Sequence, residues 1–202
     1  MSAADVRRVI VATANRGKLA EIRSALDFEG WEFVTAEDLG HEALEVAETG
    51  DTFDANARLK ARAYREVFGL PALADDSGLE VDALGGEPGV YSSRYAGEDA
   101  TDADNNTKLL RALKRIPAGQ RGARFRSVIV FIDADGVETV AEGTCEGSIG
   151  FDPYGTGGFG YDPIFMPRET PDRTMAQLEL AEKNAISHRG AALRALKAAL
   201  GR

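Results

Sequence analysis

Within the first 26 residues the apolar pattern changes its period, and that change restricts the fold more than any other feature. Val9, Ile10, Val11 and Ala12 are contiguous, a short β-rich run. After the polar segment Thr13-Ala14-Asn15-Arg16-Gly17-Lys18, the apolar residues Leu19, Ile22 and Leu26 fall at i, i+3 and i+7, one face of a helix. Strand, loop and helix in that order are the unit of an α/β architecture. The chain repeats the alternation. Trp31 to Thr35 predicts a second strand, and Phe53, Ala57, Ala61, Tyr64 and Phe68 mark one face of a helix that Gly69 and Pro71 end.

Downstream, ALADDSGLEV (residues 72–81) reads as a strand carrying Asp75 and Asp76 into a bend at Ser77-Gly78. A Gly/Pro-rich segment, LGGEPGVYSSRYAG, follows. A third helix is expected from about Thr101 to Leu113, then a strand pair, Arg124 to Asp133 and Glu138 to Ile149, turning at DADG. GTGGFGYDPIF is a glycine-rich connector, and Leu193, Leu196 and Leu200 line a C-terminal helix. No internal repeat and no segment of linker composition interrupts the chain. The expectation is one α/β domain over residues 1–202, with a mixed sheet, flanking helices and two lobes.

Composition narrows the function classes. At 44% hydrophobic and 28% charged residues, the 202-residue chain has the balance of a globular protein rather than a disordered one. Its net charge of −9 argues against a general nucleic-acid binder, whose affinity rests on a basic face. An anionic ligand must therefore be met by local cations working against the overall field. The single cysteine, Cys145, offers neither an intramolecular disulfide nor a thiol metal cluster, which fits a reducing compartment. No apolar run approaches the roughly 18 residues that span a bilayer, and the N-terminal apolar core is too short for a signal peptide. A cytoplasmic protein without membrane association is expected.

Four segments carry candidate chemistry. TANRGK joins a strand to a helix, so its backbone N–H groups and the helix start can face an anion, with Lys18 as a point charge. The ordinary alternative is that Asn15 simply caps the helix. The segment is not a Walker A loop, which needs more glycine and a Lys-Ser/Thr pair. GTGGFG matches G-x-G-x-x-G formally. It does not open a helix, however, because Tyr161-Asp162-Pro163 follows at once, so a dinucleotide fingerprint is excluded. Phe159 or Tyr161 can stack on a planar ligand, or both can pack inward. In EKNAISHRG, Ser187 suits a helix N-cap, while Lys183, His188 and Arg189 gather three donors suited to carbonyl or phosphate oxygens. Finally, Glu48 with Asp75 or Asp76 makes a hard-oxygen set, which favours Mg²⁺ over zinc; alone, Glu48 is an ordinary solvated loop residue.

Taken together and in this order, the segments resemble the inosine triphosphate pyrophosphatases, the non-canonical purine NTP pyrophosphatase family. The matching blocks are T-x-N-x-x-K (Thr13, Asn15, Lys18), ETGDTFDANARLKA, ADDSGLEVDALGGEPGVYSSRYAG, GTGGFGYDPIF and EKNAISHRGAAL, spanning Thr13 to Arg189 and beyond. Ala14 departs from the family's usual glycine, which bears on any role requiring a positive φ there. The resemblance implies an elongated two-lobed α/β fold with a central nucleotide cleft, usually homodimeric. It implies Mg²⁺-dependent hydrolysis of ITP, dITP and XTP to the monophosphate and pyrophosphate. By motif, Thr13, Ala14, Asn15, Arg16, Gly17 and Lys18 would hold the triphosphate. Glu48 and Asp76 would hold the metal, Asp76 would act as general base, and Ser77 would contact substrate. Phe159, Gly160, Tyr161, Asp162, Lys183, His188 and Arg189 would surround base and sugar, with Lys60 as a further cation. Two rivals are a Maf-like nucleotide pyrophosphatase, expected to carry a serine- and arginine-rich first loop, and a non-catalytic nucleotide-binding protein. Strand alternation adds one refinement: neighbours on a strand face opposite ways, so Asp75 and Asp76 are expected to divide their work.

Overall fold

A computed structural model describes residues 6–26 and 28–201. The elements follow the sequence in the order β1 (Arg7–Val11), α1 (Arg16–Ala25), β2 (Trp31–Val34), α2 (Phe53–Phe68), β3 (Ala72–Val81), α3 (Asp102–Ala112), β4 (Gly122–Ile132), β5 (Glu138–Ile149), β6 (Phe165–Pro167), α4 (Leu180–Ile186) and α5 (His188–Ala199). One six-stranded sheet has the order β2-β1-β3-β4-β5-β6. β1, next to the β2 edge, runs parallel to both neighbours, with Val9 opposite Phe33 and Ile10 opposite Ala72, whereas β5 and β6 are antiparallel. The expected mixed α/β sheet with flanking helices is what the chain forms.

By its internal contacts the chain divides into two units. Unit 1 comprises Met1–Asp76, Ser127–Gly143 and Ala192–Arg202; unit 2 comprises Ser77–Arg126 and Thr144–Ala191. Each has its own apolar core. In unit 1, Val9 and Val11 of β1, Leu73 of β3 and Ile129 of β4 pack with Ile22 of α1 and with Leu193 and Leu196 of α5. Trp31 lies against Phe28, Phe33 and Phe131, with ring centroids 5.1 to 6.1 Å apart, the spacing at which aromatic quadrupoles attract. In unit 2, Leu79 and Val81 of β3 pack with Leu109 and Leu113 of α3, Phe125, Cys145, Tyr161 and Phe165.

The helix ends are set by side chains the sequence supplies. Asn15, Thr52 and Thr101 each accept a backbone N–H in the first turn of α1, α2 and α3, satisfying donors that a helix start leaves open. Ser187 does the same for α5, accepting the Gly190 N–H at 3.1 Å. One expectation fails. The predicted bend at Ser77-Gly78 does not occur, and β3 runs unbroken from Ala72 to Val81. Leu79 and Val81 are fully buried in the unit 2 core, and the Leu79 N–H donates to Ser92 Oγ at 2.9 Å. Burial of the downstream apolar pair overrides the local turn preference of Asp-Ser-Gly. Among the described residues, no helix is long and apolar enough to cross a membrane.

Candidate active site

The two aspartates take different partners, as strand alternation requires. The Asp75 side chain is wholly buried and forms an ion pair with Lys18 Nζ at 2.9 Å. Ser127 Oγ, on β4, donates to it at 2.5 Å. Asp76 faces Lys60 Nζ at 2.8 Å, and the same ammonium lies 2.9 Å from Glu48. Lys60 thus stands between the two carboxylates assigned by motif to metal binding.

Each member of this group is delivered by a capped element. Lys60 projects from the second turn of α2, which Thr52 caps. Glu48 precedes a turn held by the Gly50 N–H donating to Asn56 Oδ1 at 2.8 Å. Lys18 comes from the first turn of α1, where Asn15 Oδ1 accepts its N–H at 3.0 Å, so the ordinary capping role of Asn15 is the one realised. The TANRGK segment is therefore half loop (Thr13 to Asn15) and half helix, with Arg16 and Gly17 already in the helical turn. No non-glycine residue among those described has a positive φ. Ala14 thus needs no glycine-like backbone.

Burial pushes the Asp76 carboxyl above the ordinary aspartate value, with the Lys60 and Lys18 charges pulling part of the way back. Burial disfavours the Lys60 charge too, but Asp76 and Glu48 together hold its ammonium protonated, above the ordinary lysine value. Among the described residues no cluster of three or more His, Cys, Asp or Glu side chains converges as a complete metal cage. A cage is not what Mg²⁺ requires, since it commonly takes one or two carboxylates with waters and substrate phosphates. Glu48 and Asp76, each within 2.9 Å of one ammonium, fit a small hard cation.

Unit 2 carries a second group. Asp162 is buried, and its Oδ2 accepts from Lys183 Nζ at 2.5 Å and from the Phe159 N–H at 2.9 Å. The Lys183 ammonium lies 4.5 Å from the Phe159 ring centroid and the Arg189 guanidinium 5.6 Å from it. Arg189 also donates to Ser77 Oγ at 2.8 Å. Lys183, Arg189, Phe159, Asp162 and Ser77 are thus one constellation, although 112 residues separate Ser77 from Arg189. His188 is buried and stacks on Phe125, centroids 4.7 Å apart and planes at 15°.

Tyr161 goes elsewhere. It is 4% exposed, belongs to the unit 2 core and donates its hydroxyl to Ser92 O at 2.9 Å, so of the two candidate stacking rings only Phe159 is in position. The glycines permit this packing. A Cβ on Gly158 would sit 2.0 Å from Asp162 Oδ2, at a φ of +71°. Sequence reasoning missed Ser127 and Phe125. Ser127 was visible only as the one hydroxyl in the apolar run SVIVFI.

A family model described as the Ham1 family matches residues 9–199. The chain belongs to the Ham1 family. That match reaches from β1 into the last turn of α5 and so takes in every site residue named above. The dITP/XTP pyrophosphatase of Shigella flexneri is 52% identical over 198 residues, covering 96% of this chain and 98% of that protein. The dITP/XTP pyrophosphatase of Geobacter sulfurreducens is 50% identical over 194 residues, covering 96% of each. Among solved structures, a HAM1 protein from Coxiella burnetii superposes with a TM-score of 0.84 at 44% identity, covering 96% of this chain and 98% of that one. The Ham1 fold is therefore shared through nearly the whole length. The motif resemblance and the family match point to the same assignment.

Proposed function

We infer that this protein is a nucleoside triphosphate pyrophosphatase that hydrolyses non-canonical purine nucleotides, ITP, dITP and XTP, to the monophosphate and pyrophosphate. The half-identical relatives named dITP/XTP pyrophosphatases support the substrate class. The observation that carries the chemistry is the Lys60 ammonium bridging Glu48 and Asp76. It shows two carboxylates converging on one small cation.

In this reading water attacks the α-phosphorus and the bond to the bridging oxygen breaks, releasing pyrophosphate. Asp76 orients the water and takes its proton; the burial that raises its basicity suits that task. Glu48 and Asp76 would hold Mg²⁺, which would supply charge neutralisation for the phosphates when bound. Lys18, ion-paired with Asp75, is the cation of the first loop and would face the phosphates. The Thr13 and Asn15 N–H groups already donate to Val11 O and Thr13 Oγ1, so the backbone N–H groups of Ala14, Arg16 and Gly17 are the ones that would face a phosphate beside it. Unit 2 reads the base: Phe159 stacks on the purine, and Lys183, His188 and Arg189 supply donors. A 6-oxo purine accepts from such donors, whereas the 6-amino group of adenine opposes them and strands a buried donor at a cost of about 1–3 kcal/mol.

The reading extends to one domain, since β3, β4 and β5 each contribute residues to both units. It also extends to a homodimer, which the family resemblance implies, and to a cytoplasmic location, which the single cysteine and the lack of a long apolar run support. A pyrophosphate-release assay with Mg²⁺ across ITP, XTP and the four standard NTPs tests it. Pyrophosphate from ITP and XTP with little from the standard four is the expected result. Turnover of none would leave a nucleotide-binding protein, and release without purine selectivity would point to a Maf-like enzyme.

A further inference from the structure

The first turns of α3 carry polar side chains that its own capping does not use. Thr101 and Asp104 already close a reciprocal capping box at the start of this helix. Asp102 is therefore left over, and its carboxylate accepts the Gly160 N–H at 2.6 Å. One turn on, Asn106 is buried and donates through Nδ2 to Gly160 O at 3.0 Å. Asp102 and Asn106 are four residues apart, on one helix face. Between them they hold both polar atoms of Gly160.

Gly160 has a φ of +61°, a conformation other residues adopt at a cost. It follows Phe159, whose ring lies over Lys183 and Arg189, and it lies two positions before Asp162, which fixes Lys183. Asn106 Oδ1 is buried and has no hydrogen-bond partner. A buried amide with one unsatisfied end is a poor choice for packing alone. Its remaining bond, to Gly160, is the contact that accounts for it.

We propose that Asp102 and Asn106 are positioning residues that clamp the Gly160 peptide and so set Phe159 for purine recognition. They touch neither the reacting atoms nor, in this reading, the base. The inference rests on the proposed base-recognition role of Phe159, and its test separates the two.

Asp102→Ala should weaken protection of the Gly160 amide in hydrogen exchange by on the order of tenfold. It should raise KM for ITP by on the order of tenfold while kcat stays within about threefold. Asp102→Asn keeps an accepting oxygen and should restore both toward wild type. Asn106→Ala provides a second, independent break of the same peptide and should act in the same direction. Unchanged Gly160 exchange and unchanged KM in folded Asp102→Ala would overturn the clamp. So would equal falls in kcat and active fraction with a lowered melting temperature and no rescue by asparagine, which mark a purely structural residue. If the wild-type enzyme turns over no nucleotide, the functional reading fails, and the exchange measurement still decides the clamp.

Discussion

The two charged groups of this molecule are built on opposite balances. In unit 1, Glu48, Asp75 and Asp76 face Lys18 and Lys60, three carboxylates against two ammoniums. In unit 2, Lys183 pairs with Asp162, Arg189 donates to Ser77, and both cations lie over one aromatic ring. The first group is rich in carboxylates, the hard oxygen donors that suit a divalent cation. The second sets two cations against a π-face, which suits an acceptor-rich planar ligand. The difference teaches that a chain of net charge −9 can gather acids in one group while setting paired cations beside an aromatic ring in the other.

The sharpest way to break the comparison is at Asp76. Asp76→Asn keeps the size and the hydrogen-bonding shape but removes the basic oxygen. Hydrolysis of ITP should fall by about 10²–10⁴-fold, while nucleotide affinity changes only a few-fold. Single-turnover kinetics and equilibrium binding measured on the same preparation check it, and near-normal turnover would remove Asp76 from the role of base. The corresponding break in unit 2 should look different. Phe159→Ala loses a stacking surface worth roughly 1–3 kcal/mol. KM for ITP should therefore rise by about 5- to 150-fold, with the chemical step at saturation largely kept. If Phe159→Ala instead lowers kcat alone, the division of labour between the groups is wrong.

How much of this was legible in the sequence depended on the range of the interactions. The bounds of α2 could be read because its apolar face and the Gly69 and Pro71 stop follow one another directly along the chain. The split between Asp75 and Asp76 could be read because alternation is a property of the strand itself. The continuation of β3 through Ser77-Gly78 could not, since Asp-Ser-Gly favours a turn locally and only the distant unit 2 core around Leu79 and Val81 outweighs it. Ser127, Asp102 and Asn106 were hidden for the same reason. Their partners lie 52, 58 and 54 residues away along the chain, and no local spacing encodes such pairs. Lys60 was visible as a cation on α2, but its place between Glu48 and Asp76 was not.

The smallest expected effect concerns the support of α2, the helix that carries Lys60. Arg58 and Arg62 of α2 both pair with Glu138 of β5, all within unit 1. The Arg62 hydrogen bond and charge, with Arg58 adding to them, hold the Glu138 carboxyl below its ordinary value against a small opposing effect of burial. A carboxyl depressed in the folded state stabilises the protein above its unfolded pKa, and that stabilisation is lost as pH falls through the folded value. Arg62 is largely exposed, so the expected contribution is only about 0.2–1 kcal/mol. Trp31, the sole tryptophan, lies in the unit 1 aromatic cluster, and its fluorescence reports unfolding there. Unit 2 has its own reporter in Cys145, the sole cysteine, whose thiol burial pushes up to about 12. Glu138→Gln should lower the urea midpoint seen by Trp31 at pH 7, and the difference from wild type should begin to shrink as pH falls past the ordinary glutamate value of about 4.3 and vanish only below the depressed folded value. Thiol labelling of Cys145 in urea at neutral pH should shift less than the Trp31 signal. A Trp31 difference that persists unchanged into acid would show that the glutamate supports α2 by packing rather than by charge.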